Sequence, residues 1–128
     1  MSGTKAEVLI VDRQTDSLMD LFDLVCAEGF DTTGVSSESE ALSCVLRRKP
    51  DILIDYHRPP VGGDLQLLER TRQLSPHTRI ILLAGSPPGL AGPGGSSKSG
   101  EVEWIPGPVL TSQLLEALDR AVQERPAQ

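Results

Sequence analysis

The sequence has very few aromatic and sulfur-containing residues. Its 128 residues include only two Phe, one Tyr, one Trp and two Cys. A hydrophobic core must therefore be built from aliphatic side chains. A chain of this length buries enough surface to fold without a disulfide framework. Because Cys26 and Cys44 fall in predicted amphipathic helices, we expect two reduced core thiols in a cytoplasmic protein.

Basic charge is also scarce. Lys and Arg total 12 against 18 Asp and Glu, so the net charge is −6. An acidic surface argues against nucleic-acid and membrane-surface binding, since both need clustered cations. The sequence has no apolar run long enough to span a membrane and no signal-peptide apolar region at its start. We therefore expect protein partners, with no nucleic acid and no membrane.

Aliphatic runs alternate with amphipathic segments along the chain. The aliphatic runs at 7–12, 51–55 and 79–84 predict buried strands, and 30–35, with weak alternation, and 101–105 predict two short ones. Thr15 or Asp16 is the predicted cap of the first helix, and further helices are predicted to begin at the Ser37–Glu40 capping-box spacing, after Gly63, and at Thr111 or Ser112. The order βαβαβαβ-loop-βα predicts a doubly wound α/β fold, with a parallel sheet covered on both faces. We expect a single domain over 1–128 with its core in 6–123.

Residues 85–100 differ from the rest of the chain. They hold six Gly, three Pro and four Ser, a composition that opposes a helix and predicts a flexible loop. The loop also comes close to a phosphate-binding loop, but Ser97 stands where that pattern needs Gly before Lys98. A small nucleotide-binding protein is therefore a weaker alternative.

Two predicted strands end in carboxylates, Asp12 and Asp55. Ligands of open parallel sheets bind beyond the carboxyl ends of the strands. If the two strands are neighbours, the acids meet in one crevice, where they can share a magnesium ion. One of them can also act as a nucleophile toward a phosphoryl group.

This pattern resembles the receiver domain of bacterial two-component response regulators. Asp55, Pro59 and Gly63 have the family's spacing around the phosphoacceptor, Asp12 fits the first acidic position, and Pro108 fits the turn after the fifth strand. The resemblance implies a CheY-like, flavodoxin-like sheet of five strands in the order 2-1-3-4-5. It implies that the 85–100 loop replaces the fourth helix. It also implies phosphorelay signalling with a histidine kinase or a downstream regulator as partner.

Three family positions carry other residues here. Arg13 stands in place of the second acid, which binds magnesium in the family; Ala84 replaces the Ser or Thr after the fourth strand; Gly107 replaces the Lys before the final Pro. The resemblance leaves Asp12, Asp55 and the backbone carbonyl of His57 as a weak magnesium site. Phosphoryl transfer depends on positioning and charge neutralisation, so these losses predict weakened magnesium binding and a compromised switch.

The leading hypothesis is therefore an atypical single-domain receiver, a pseudo-receiver that is not an enzyme and acts mainly through protein contacts. The alternative is a phosphorylation-competent regulator in which Asp55 accepts a phosphoryl group from a histidine kinase. We expect a cytoplasmic bacterial protein, a monomer or homodimer, whose length leaves no room for an output domain.

Overall fold

The computed structural model describes residues 6–57, 64–84, 98–99, 102–106 and 111–124. Six strands and four helices occur within these ranges. The strands are β1 (Glu7–Val11), β2 (Asp31–Val35), β3 (Ile52–His57), β4 (Arg79–Ala84), β5 (Lys98–Ser99) and β6 (Val102–Pro106). The helices are α1 (Thr15–Ala27), α2 (Glu38–Arg48), α3 (Asp64–Leu74) and α4 (Thr111–Glu124). Within the described ranges, no helix is long and apolar enough to cross a membrane.

The strands form one sheet in the order β2-β1-β3-β4-β6-β5. All neighbouring pairs are parallel except β5 and β6, which are antiparallel. The predicted doubly wound α/β fold and the order 2-1-3-4 of the first four strands are confirmed. The predicted fifth strand corresponds to β6, which pairs parallel with β4, and the two-residue β5, Lys98–Ser99, which the prediction assigned to the loop, is an additional strand beside it. The replacement of a fourth helix falls mostly on 85–97, outside the described residues, and stays a prediction.

Two aliphatic cores lie on opposite faces of the sheet. The first core is covered by α1 and α4 and contains Val8, Ile10, Ile52 and Ile54 from the central strands. The second core is covered by α2 and α3 and contains Leu9, Val11, Leu53 and Leu82. Because successive strand residues point to opposite faces, the continuous aliphatic runs fill both cores at once. An aliphatic core, as the scarcity of aromatics requires, is therefore confirmed.

The two cysteines differ in burial. Cys44 belongs to the second core and is 5% exposed, whereas Cys26 is exposed. The prediction of two core thiols is therefore wrong for Cys26. The buried face of α1 ends at Val25, which is fully buried. Cys26 is the next residue and lies about 100° further around the helix, on its exposed side.

The helix starts follow local hydrogen bonding. At α2 half of the predicted capping box forms: the Glu40 N–H donates to Oγ of the N-cap Ser37 (3.2 Å), while Glu40 Oε1 accepts from the N–H of Ser36, one residue before the cap (3.3 Å). At α1 the N-cap is Gln14, whose side chain makes no capping bond, rather than Thr15 or Asp16. That start depends instead on Asp12, as described below.

A cluster of hydrogen bonds joins the loops that precede β3 and β4. The Thr78 hydroxyl donates to Pro50 O (2.6 Å) and lies 2.7 Å from Ser75 Oγ. The His77 ring joins the cluster through Ser75 Oγ (3.4 Å) and Lys49 O (3.2 Å). These bonds fix the two strand starts relative to each other at the amino end of the sheet.

Candidate functional site

Asp12 and Asp55 lie at the carboxyl end of the sheet, on neighbouring strands. Val11 is in register with Asp55, and Asp12 is the next residue after Val11. Neighbouring strands are about 5 Å apart, so the topology brings the two acids to one crevice. Both residues are 0% exposed. The structure therefore places the two acids that the sequence singled out at the same end of the sheet, on adjacent strand ends.

Asp12 has a structural role as well as a candidate functional one. Its Oδ1 accepts a hydrogen bond from the Gln14 N–H (3.0 Å), and its own N–H donates to Val35 O (3.1 Å). The first bond forms a turn that leads directly into α1, where a carboxylate is favoured by the helix dipole. Asp12 thus fixes the start of α1 and the end of β2 at the same time.

Strand β3 continues beyond Asp55. Tyr56 and His57 pair with Leu83 and Ala84 of β4, so the strand predicted over 51–55 runs two residues further than expected. Tyr56 packs against the first core, which explains the longer strand. His57, the candidate backbone ligand, is thus the last residue of β3, two residues beyond Asp55.

The three departures from the receiver pattern have different positions. Arg13 follows Asp12 and is half-buried. Ala84 is the last residue of β4, in register with His57 on one side and Pro106 on the other. Gly107 lies outside the described residues. Arg13 and Ala84 therefore lie at the carboxyl end of the sheet, as the two acids do.

The charge of the crevice follows from these residues. Asp12, Asp55 and Arg13 sum to −1, whereas a second acid in place of Arg13 would give −3. Magnesium prefers several oxygen ligands of this kind, so the exchange removes one ligand and adds a competing cation. Within the described ranges, no group of three or more His, Cys, Asp or Glu could hold a metal ion.

The basic residues at the end of α2 contact other parts of the chain. Arg48 Nε pairs with Glu7 Oε2 (2.6 Å), and this bond raises the pKa of Arg48. Lys49 Nζ donates to Leu74 O (2.9 Å), and Arg47 Nε donates to Ser43 O (3.3 Å). Both arginines also line an open cavity of about 610 Å³ between α2 and β2. The sequence pattern gave no indication of this cavity.

Comparison with known proteins gives structural matches. No family model and no curated protein matches the chain. A CheY-like receiver domain protein from Methanospirillum hungatei JF-1 superposes with a TM-score of 0.79 at 21% identity, covering 94% of this chain and 96% of that one. A receiver protein from Sinorhizobium medicae WSM419 gives 0.77 at 19% identity, covering 98% and 100%.

A third structure is the signal receiver domain of an HD domain-containing protein from Pseudomonas fluorescens Pf-5. It gives a TM-score of 0.76 at 28% identity and covers 93% of this chain and 95% of that one. The chain has the fold of a response regulator receiver domain. In this receiver fold, the crevice of Asp12 and Asp55 is the place where the sequence pattern puts the phosphoacceptor.

Proposed function

We propose that the protein is an atypical receiver in two-component signalling, which acts mainly through protein contacts and has a weakened phosphorylation site. The observation that carries this proposal is the pair of buried acids beside Arg13 on a receiver fold. The acids retain the location of a phosphoacceptor site, while the cation removes the second acidic ligand. The partners would be signalling proteins such as a histidine kinase or a downstream regulator.

Charge explains why phosphorylation would be weak. Magnesium neutralises the phosphoryl oxygens during transfer, and its binding rises with the number of anionic ligands. Arg13 lowers that number by one and adds a positive charge next to Asp12. Ala84 offers no hydroxyl to contact a phosphoryl oxygen. Asp55 would therefore be in the right place without the groups that make it a fast acceptor.

The experiment measures magnesium binding by its effect on stability. A ligand at ten times its Kd stabilises the folded state by about 1.4 kcal/mol. We expect no such gain for the wild type at millimolar magnesium, but a gain for Arg13→Asp. The matched control is Arg13→Gln, which removes the cation without adding a ligand and should remain insensitive to magnesium.

Phosphorylation is then tested directly. The wild type, Arg13→Asp and Asp55→Asn are incubated with magnesium and acetyl phosphate and weighed by intact-mass spectrometry. We expect a phosphoryl adduct on Arg13→Asp and none on the wild type or Asp55→Asn. A stoichiometric adduct on wild-type Asp55 would contradict the proposal and support the phosphorylation-competent regulator instead.

A further inference from the structure

We infer that the folded chain holds His77 as the doubly protonated imidazolium ion, which makes the amino end of the sheet a proton-sensitive latch. The latch consists of Ser75, His77 and Thr78 before β4, and of Lys49 and Pro50 between α2 and β3. The candidate crevice lies at the opposite, carboxyl end of the sheet. The inference therefore does not depend on phosphorylation, and its failure would leave the proposed function untouched.

The first step concerns the direction of the hydroxyl bonds. Pro50 O is a carbonyl and only accepts, so the Thr78 hydroxyl donates its one proton to it over 2.6 Å. Ser75 Oγ lies 2.7 Å from Thr78 Oγ1, and because the Thr78 proton is already used, Ser75 donates its own proton in this bond. The Ser75 oxygen then has no proton left for His77 and can only accept from it.

The second step concerns the imidazole ring, whose two nitrogens both meet acceptors. Nδ1 lies 3.4 Å from Ser75 Oγ, and Nε2 lies 3.2 Å from the backbone carbonyl of Lys49. A neutral imidazole carries one N–H and its other nitrogen is a bare acceptor, whereas the imidazolium ion donates from both nitrogens. The neutral ring of His77 can therefore make only one of the two bonds, and the protonated ring makes both.

Burial decides which bond the neutral ring gives up. Ser75 is 0% exposed and Thr78 is 1% exposed, so water cannot replace the ring as the donor to Ser75. Lys49 is exposed and His77 is half-buried, so water can replace the ring at Lys49 O. Loss of the proton should therefore keep an N–H on Nδ1, toward Ser75, and release Nε2 from Lys49 O.

This release acts on the end of α2. Lys49 is the C-cap residue of α2 and has a φ of 46°, in the left-handed region that residues with a side chain rarely adopt. Its N–H donates to Val45 O (2.9 Å) and its carbonyl accepts from the His77 ring, so helix and ring hold the cap from two sides. The proton on His77 thus tightens the connection between α2 and the segment before β4.

Hydrogen bonds rather than neighbouring charges retain the proton. The charged residues of the segments that meet at the latch are Arg48, Lys49, Arg72 and Arg79, with Asp51 and with Glu7, the partner of Arg48. Cations outnumber acids in this set, so the surrounding charge opposes a further cation. Solvent and salt screen repulsion between exposed charges, whereas charge-assisted hydrogen bonds are about twice as strong as neutral ones. The two bonds of the ring therefore outweigh the repulsion.

The effect of pH on stability has a definite sign. An unfolded histidine loses its proton near about pH 6.5. The folded ring loses a hydrogen bond when it is deprotonated, so above that pH the folded chain binds one more proton than the unfolded chain. The contribution of the latch to stability is therefore complete below about pH 6.5 and is lost as pH rises and the folded ring gives up its proton.

NMR of the histidine ring nitrogens tests the inference on the folded wild type. Nitrogen chemical shifts distinguish the imidazolium ion from each of the two neutral tautomers. We expect the folded His77 ring to stay doubly protonated to a higher pH than in the same chain unfolded in urea, and then to take the Nδ1–H form. His77→Gln, which keeps a donor but cannot titrate, assigns the signals.

Thr78→Val separates the latch from a merely structural role of the same hydroxyl. It frees the Ser75 proton, which can then be donated to Nδ1, so a neutral ring with its N–H on Nε2 makes both bonds. We expect this variant to take the Nε2–H form and to deprotonate as the unfolded chain does. A merely structural role would lower stability equally at every pH and leave the form of the ring unchanged.

Urea unfolding between about pH 5 and 8, the range in which histidine changes charge, measures the linkage. The folding equilibrium constant of the wild type should fall by at least about fivefold relative to that of Thr78→Val across this range, the effect of one hydrogen bond. The matched control is Thr71→Val, at a buried threonine whose Oγ1 has no partner within the described residues. It should keep the ring form and the pH dependence of the wild type.

Two results would overturn the inference. The first is a folded His77 ring that loses its proton at the same pH as in the unfolded chain, or at a lower one. The second is a Thr78→Val variant with the ring form and the pH dependence of the wild type. If Thr78→Val does not fold, the wild-type NMR comparison decides by itself.

Discussion

Replacing Thr78 by valine removes a buried hydroxyl that joins two loops at the amino end of the sheet. Thr78 is 1% exposed, donates to Pro50 O at 2.6 Å and lies 2.7 Å from Ser75 Oγ. Because the Thr78 hydroxyl donates its proton to the Pro50 carbonyl, the Ser75 hydroxyl is the donor in the bond between Ser75 and Thr78. Valine has nearly the same shape but leaves both partners without this bond.

The expected cost follows from the two lost bonds. Each hydrogen bond contributes about 1 kcal/mol, and a buried group left unsatisfied costs about 1–3 kcal/mol. Because Ser75 keeps a 3.4 Å contact with His77, most of the penalty falls on Pro50 O. We expect Thr78→Val to lower the free energy of unfolding by about 2–4 kcal/mol, which corresponds to a fall in Tm of roughly 10 °C.

Thr71→Val is the matched control. Thr71 is also fully buried, but its Oγ1 has no hydrogen-bond partner within the described residues. Valine at this position removes a buried polar atom that makes no hydrogen bond, so we expect the free energy of unfolding to rise by about 1 kcal/mol. Urea unfolding of wild type and both variants measures the difference. The reasoning is refuted if both variants change stability in the same direction by similar amounts.

Two further predictions concern pH and backbone conformation. Burial raises the pKa of the Cys44 thiol above its ordinary value of 9.0 and outweighs the opposing effect of Arg48. As pH rises, the thiol therefore ionises first in the unfolded chain. Its contribution to stability is complete below pH 9.0 and is lost as pH rises through the folded-state pKa. In urea unfolding across this range, Cys44→Ala should lose part of that alkaline decline; an unchanged slope would contradict it. Gly29 has φ 94° and its N–H donates to Cys26 O, so Gly29→Ala should cost about 1 kcal/mol in thermal melts, and a neutral Gly29→Ala would refute this. Lys49→Gly relieves the positive φ of 46° but also removes the Nζ bond to Leu74 O, so it should be close to neutral.

Hydrophobic periodicity predicted most of the fold. The aliphatic runs that became β1, β3 and β4 are buried on both faces, and that burial is visible in the sequence as uninterrupted Val, Ile and Leu. The start of α2 was equally predictable, because the Ser37–Glu40 spacing forms a local hydrogen bond that needs no tertiary context.

The features that were missed depend on distant contacts. Strand β3 runs two residues past Asp55 because Tyr56 packs against the first core and pairs with β4, which no local signal shows. Cys26 falls on an apolar stripe by spacing, yet it is exposed because Val25 already ends the buried face of α1. The cavity beside β2 was missed because it combines residues from α2 and β2 that only the sheet brings together.

The candidate site was predictable to the level of two residues but not of their roles. Strand register places Asp12 one residue beyond Val11, the partner of Asp55, even though the two acids are 43 positions apart in sequence. Asp12, however, is needed for the turn into α1 through its bond to the Gln14 N–H. Its presence is therefore explained without a metal, and a loss of stability on mutating it would say nothing about magnesium. Arg13 lies between Asp12 and the N-cap residue Gln14 and is half-buried, so its exchange for an acid is the single change that alters the charge at this end of the sheet by two units.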